Sequence, residues 1–320
     1  MNEKVRTRKR ISRARIGEAV FYGSIVVVPF FLFLLLTVFP GYFYIFIFAI
    51  QKYDPYSASY VFQSDLLYNF RAFFTELASN PSWKQVTINS FIVYGISWLN
   101  MPMQLFTSFY ISKKMPGTKL YKVILMLPGM LPGMIWVLIY KNFTEFALVD
   151  LFNLPYGPLS NVDQQFSALL IYGIWLAWGG GMLLYSGVLS GVSPELVDAG
   201  RSDGLNLLGE FWYIALPQLY PVWIVDVIAG VAGFFSASPG TFEFFGLNAG
   251  ANVSTIGYCL FSRVMNGGPK NYGFDAAASI CFSLIVMPIT LFVKWVLERY
   301  GPSEDAREPI RWFWQRRRDQ

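Results

Sequence analysis

The residues of this 320-residue chain that could carry chemistry are few. It has no histidine and only two cysteines, Cys259 and Cys281, which leaves nothing for a zinc site, a disulfide framework or a Cys–His pair. No G-x-x-x-x-G-K-[ST] phosphate loop, H-E-x-x-H or C-x-x-C occurs, so no catalytic or metal site is expected from the sequence. What remains is polarity in apolar surroundings. Asp226 lies inside an apolar run, where a carboxylate is costly and should face a bundle interior or water. It suits contact with a solute, pairing with a neighbouring helix, or a proton relay. Asn100 and Gln104 lie in another apolar run, and Tyr172, Trp175, Trp178 and Tyr185 in a third. Aromatic faces beside neutral polar groups are placed to line a solute path, although the same aromatics equally serve helix packing or interface belts.

The second polar feature is residues 193–221, SPELVDAGRSDGLNLLGEFWYIALPQLYP, set between two long apolar segments. Ser193 is a good N-cap, Pro194 suits a first helical position, and Glu195 and Asp198 put negative charge near the helix N-terminus. A short helix is expected to start here. Leu196, Ala199, Gly200 and Asp203 share one face, and the small pair Ala199 and Gly200 allows a partner to come close. Asp203-Gly204 reads as a turn, and a second apolar helix is expected from Leu207, bent by Leu216-Pro217 and Pro221. Composition alone equally allows an ordinary loop between two membrane spans.

This stretch resembles the EAA motif in permease subunits of binding-protein-dependent ABC importers. The resemblance is carried by Pro194, Glu195, Leu196, Asp198, Ala199, Gly200, Asp203 and Gly204, then by Ile214, Leu216, Pro217 and Pro221. Asp198 stands for the usual Glu, Gly200 for the second Ala, and Leu205 for the Ala after Asp-Gly. The resemblance extends over about residues 19–300 and is greatest to the maltose-type, carbohydrate-uptake branch and its first permease subunit. Residues 69–74, Trp83, Asn89-Ser90 and the Leu127-Pro128/Leu131-Pro132 pair are similar to further landmarks of that branch. It implies that residues 194–206 form a cytoplasmic coupling helix seated in a cleft of an ATPase subunit. It also implies a second, related permease subunit, two ATPase subunits that bind ATP and Mg, an extracytoplasmic solute-binding protein, and a carbohydrate substrate. No cofactor in this chain and no nucleic acid follow from that reading.

The elements that must hold these residues are membrane helices. Hydrophobic residues make up 54% of the chain and charged ones 14%, with mean hydropathy +0.42, which is too apolar for an ordinary soluble domain. The fold class expected is an all-α integral membrane bundle of the type I importer kind. Six spans are expected at about 19–50, 86–111, 121–140, 166–188, 210–235 and 274–296. The first is long for a signal-peptide core and should be retained. Prolines inside the spans and the run Gly179-Gly180-Gly181 call for close helix contact or local unwinding beside a cavity. A basic segment, 1–18, and a basic aromatic tail, 301–320, flank a permease domain at 19–300. With both ends in the cytoplasm, 19 of the 25 Lys and Arg fall on the cytoplasmic side, as the positive-inside rule requires. Localisation in a bacterial-type cell membrane is the corresponding expectation. The alternative is a proton-coupled secondary carrier using Asp226, for which the sequence shows neither a paired inverted repeat nor a second carboxylate inside a span.

Overall fold

The computed structural model describes residues 13–62 and 64–301. The basic N-terminal segment up to residue 12 and the tail from 302 lie outside the described residues. The chain opens with α1 (Arg13–Phe33), which passes through a π-turn at Leu34–Val38 into α2 (Phe39–Ile50). An antiparallel hairpin follows, β1 (Gln51–Asp54) and β2 (Ser59–Phe62), paired from Gln51↔Phe62 to Asp54↔Ser59. The Asp54 carboxylate builds its turn, accepting from the Tyr56 amide at 3.1 Å and the Ser57 hydroxyl at 2.7 Å; the Ser57 bond first, then the Tyr56 amide, holds this carboxyl below its ordinary range. The mixed, aromatic composition of residues 51–82 predicts a loop with some short helix. The hairpin is the difference, stabilised by an aromatic stack of Tyr53, Tyr60, Phe48 and Tyr272 that alternation over four residues is too short to announce.

After α3 (Tyr68–Ser79) comes α4 (Pro81–Ser112), started by Asn80, whose side chain accepts from the Ser82 amide, and by Pro81 at the first turn. Then α5 (Thr118–Met130) and α6 (Gly133–Asn142) meet at Leu131-Pro132 with a bend of 110°. The expected third span at 121–140 is therefore a broken one. Proline lacks the N–H that would continue the helix and pushes the preceding residue into extended backbone, as Leu131 shows with φ −103°, ψ 148°. A π-turn at Phe143–Ala147 leads to α7 (Leu148–Phe152). Next come α8 (Val162–Trp178), capped by Asn161, and α9 (Met182–Ser190), separated by the glycine run. The polar stretch gives α10 (Pro194–Ser202) and α11 (Leu207–Glu210), after which a π-turn at Phe211–Ala215 enters α12 (Leu216–Ala232). The chain finishes with α13 (Thr241–Phe245), α14 (Ile256–Gly267) and α15 (Tyr272–Tyr300).

Among the described residues, four segments are long and apolar enough to cross a membrane: Gly23–Ile50, Val162–Ser190, Leu207–Ala232 and Ile256–Tyr300. The bent α5–α6 pair makes a fifth. At 32 residues α4 is long enough, but its row of Asn, Ser, Thr and Gln residues keeps it from qualifying on composition. It packs against α8 and α9, and α15 packs against α2 and α12. The main core joins Leu105 and Phe109 of α4, Tyr185 and Leu189 of α9, and Phe211 and Leu219 around α12. A second core, Phe73, Trp83, Ile256 and Phe282, closes the end that carries the hairpin.

That end is organised by buried amides. Asn69 donates to the carbonyls of Ala49 (2.9 Å) and Gln51 (2.8 Å), which docks α3 on the hairpin. Asn89 is fully buried and donates to Ala251, Asn252 and Ser254 carbonyls at 2.9–3.0 Å, while Ser90 accepts from the Ile256 amide at 2.8 Å. The Asn-Phe and Asn-Ser landmarks of the sequence are thus the joints between the bundle and its end layer, because backbone carbonyls turning into α14 need donors there.

Candidate functional site: a locked surface helix and an acidic cavity

At the opposite end, α10 stands on the surface. Ser193 caps it by accepting from the Leu196 amide at 3.3 Å, and Glu195 and Arg201 complement the helix dipole at its two ends. Its exit is a Schellman turn: the Leu205 amide donates to the Gly200 carbonyl and the Gly204 amide to the Arg201 carbonyl, both at 3.0 Å, with Gly204 at φ +83°. The helix therefore ends at Ser202, and residues 203–206 of the expected 194–206 segment are the turn and the Asn206 cap of α11. Residues 200–204 also spell G-x-S-x-G, but Ser202 sits in the last turn of a helix with its hydroxyl on the Asp198 carbonyl at 2.9 Å, not on a strand-to-helix elbow.

The two small residues on α10 do different work. Gly200 is buried, and a Cβ there would come within 2.8 Å of Ile214 Cδ1 and 2.9 Å of Leu205 Cδ1. Its close approach is to its own chain. Leu216 packs on the main core and Pro217 is buried, so both belong to the bundle wall. Pro194, Glu195, Leu196, Asp198, Ala199, Asp203 and Gly204 are exposed and form the outward surface.

Three residues that the sequence does not single out fasten this helix to the bundle. Glu210, 3% exposed, pairs with Lys113 at the end of α4 and with Arg201 of α10 at 3.7 Å. Burial, and then the Arg201 charge, pulls the Lys113 ammonium below the ordinary lysine range. A displacement of α10 therefore pulls on a buried carboxylate that also holds α4. The pairing spans 97 positions, so no local spacing could reveal it.

The second site is a cavity of about 490 Å³ between α4, α8, α9 and α12, lined among others by Asn100, Gln104, Asp226, Trp98 and Tyr94. Asp226 accepts from the Tyr185 hydroxyl, and Tyr185 is fully buried. Gln104 donates to the Ala177 carbonyl at 2.7 Å, where the glycine run interrupts the helix. The run supplies both expected features: a Cβ on Gly179 would collide with the Leu125 backbone, and the break between α8 and α9 borders the cavity. Asn100 is 7% exposed and its Oδ1 has no hydrogen-bond partner. The structure thus brings Asn100, Gln104, Tyr185 and Asp226 together. Tyr172 and Trp175 lie apart, in a cluster with Trp136, Tyr140 and Phe244. Trp178 packs beside Ile111, Leu125 and Met182 and donates to Thr107 Oγ1 at 3.0 Å. The expectation of no second carboxylate inside a span does not hold: Glu210 and Asp275, both buried, lie within apolar spans, Asp275 at the hairpin end of α15 beside Arg263 Nε at 3.4 Å.

This fold is that of solved ABC transporters. Two structures of a bacterial alginate ABC transporter, one described as importing that acidic polysaccharide and one in complex with an alginate pentasaccharide-bound periplasmic protein, superpose with TM-scores of 0.71 and 0.70 at 16% and 15% identity, each covering 89% of this chain and 98% or 96% of theirs. By fold the chain is similar to these transporters, and by sequence it is similar to permease proteins of transport systems. It is 24% identical over 231 residues to the arabinooligosaccharides transport system permease of Halalkalibacterium halodurans, covering 68% of this chain and 69% of that one. It is 22% identical over 261 residues to the sn-glycerol-3-phosphate transport system permease of Pectobacterium atrosepticum, covering 79% and 85%. No family model matches.

Proposed function

We propose that the chain is one half of a heterodimeric permease that imports a carbohydrate delivered by an extracytoplasmic binding protein, driven by two separate ATPase subunits. The observation that carries this is α10: a short helix, capped at both ends, exposed on its outer face and wired through Glu210 into α4 and α12. Such a helix moves as a unit when pushed, and Glu195 makes no ion pair among the described residues, leaving it for a partner. In this reading α4 is the sixth span, its polar residues turned toward neighbouring helices, and the termini lie on the cytoplasmic side with α10. Closure of the ATPases shifts α10, and the cavity at Asp226 alternates between the two faces. Carbohydrate is supported by the arabinooligosaccharide and alginate systems and by the neutral hydrogen-bonding groups Asn100 and Gln104 in the cavity.

The test is purification of the tagged chain in mild detergent, with mass spectrometry of what accompanies it. An ATPase and a second permease are expected with the wild type, and the ATPase is expected to be lost with Glu195→Ala and Gly204→Asp. A chain that carries no ATPase even after crosslinking overturns the reading. The companion binding protein is then screened against glycans; retention of only non-sugar solutes overturns the carbohydrate assignment.

A further inference from the structure

A second feature lies at the α10 end of the bundle. A cavity of about 780 Å³ opens between the end of α4, the start of α5 and one face of α9, and Lys114, Lys119 and Lys122 all line it. No carboxylate lines it, and none of these lysines pairs with a carboxylate among the described residues. Neighbouring Lys113, by contrast, is held by Glu210.

The segment presenting these lysines is held in a tight turn by local contacts. Lys114 sits at φ +51° and Gly117 at φ +80°, the Tyr110 hydroxyl donates to the Pro116 carbonyl at 2.5 Å, and the Tyr110 ring packs edge-on against Tyr121 at 5.7 Å. A glycine at 114 would adopt this backbone without strain, so what the position supplies is the lysine side chain. Lys119 and Lys122 fall in the first two turns of α5, which has no acidic residue in its first turn. Both have the wrong sign for a helix N-terminus and repel each other at i, i+3. A bound anion removes both penalties.

The walls identify the anion's source. Ile111 and Leu183 line the same cavity, and Leu120, Val123 and Ile124 on α5 are each at least half exposed. A free inorganic ion has no use for such a flank, whereas an acyl chain does. We propose that this cavity is a binding site for an anionic phospholipid, whose phosphate is held by Lys114, Lys119 and Lys122 while a chain lies along α5. Basic pockets between membrane helices take such headgroups, each lysine near an anionic surface adding attraction that salt screens.

The full chain is reconstituted in nanodiscs of phosphatidylcholine with or without phosphatidylglycerol, and lipid retained after detergent exchange is counted by native mass spectrometry. Phosphatidylglycerol is expected to be retained over phosphatidylcholine, with the preference falling as salt rises. The pair Lys119→Gln/Lys122→Gln should weaken it about thirtyfold, and Lys119→Arg/Lys122→Arg should restore it. Equal retention of the two lipids overturns the proposal. So does inorganic phosphate displacing the lipid at millimolar concentration, which would make the site one for a free ion. Loss of the co-purifying ATPase in the Gln variant with lipid retention unchanged overturns it too, assigning the lysines to a protein partner. Should the Gln variant not fold, the wild-type salt series and the Arg variant decide.

Discussion

At the scale of the residue, the two ends of the bundle are fixed by single polar side chains in unlike ways. Asn89 supplies one amide to three carbonyls, so Asn89→Ala leaves these acceptors without donors in a buried place. The expected cost is about 2 kcal/mol, seen as a lower unfolding midpoint in detergent, with Asn89→Asp worse because it sets a carboxylate oxygen against carbonyls. Glu210 is the corresponding point at the α10 end. Glu210→Ala removes the partner of Lys113, whose side chain is 19% exposed, and should cost about 2 kcal/mol, less than a fully enclosed pair because the ammonium can turn toward water. A double-mutant cycle separates charge from packing: Lys113→Met/Glu210→Met should be milder than either single change. Asn89 was visible in the sequence as a landmark, though not what it does, since its acceptors lie more than 160 positions away. Glu210 was visible only as the start of an apolar run.

At the scale of the element, α10 shows what local physics can and cannot tell. Ser193, Pro194 and the Asp203-Gly204 turn are short-range signals, and the structure uses each as the residue types require. Which side of the helix faces its own bundle depends on Ile214 and Leu205, and so Gly200 reads from sequence as a contact for a partner while it is in fact covered internally. The methyl of Gly200→Ala meets only the ends of two flexible side chains and should be tolerated. Gly200→Val should lift α10 off Ile214 and reduce ATPase co-purification and ATP-driven uptake together, while membrane insertion, read by protease protection, stays unchanged. Loss of insertion would instead make Gly200 a folding residue. The broken α5–α6 pair was harder to foresee. Leu127-Pro128 and Leu131-Pro132 look alike in sequence, yet the chain continues as helix through Pro128 and turns by 110° at Pro132, where the Pro128 carbonyl, which Pro132 has no N–H to meet, accepts from Trp136 Nε1 at 3.0 Å.

At the scale of the whole molecule, the helical membrane class of the fold was legible because long apolar runs and one polar insertion agree, whereas which aromatics border the Asp226 cavity was not, because aromatic residues have the same composition whether they line a cavity or pack helices. The cavity at Asp226 separates the two energy sources considered. In a proton-coupled carrier Asp226 must titrate during each cycle, and Asp226→Asn abolishes uptake. In an ATP-driven permease it is one hydrogen-bonding group on the wall, joined to Tyr185, and the amide keeps an acceptor for that hydroxyl. Weakening that one bond by about 1 kcal/mol makes ATP-driven uptake by Asp226→Asn fall about fivefold and no more than about tenfold. Gly204→Asp acts elsewhere, forcing a side chain onto left-handed backbone at φ +83° in the turn that ends α10, and should stop uptake while leaving substrate access to the cavity. Uptake into vesicles loaded with ATP, with and without a protonophore, reads both variants. Residual protonophore-insensitive uptake in Asp226→Asn and none in Gly204→Asp locates the driving force at α10; the reverse pattern locates it at the carboxylate.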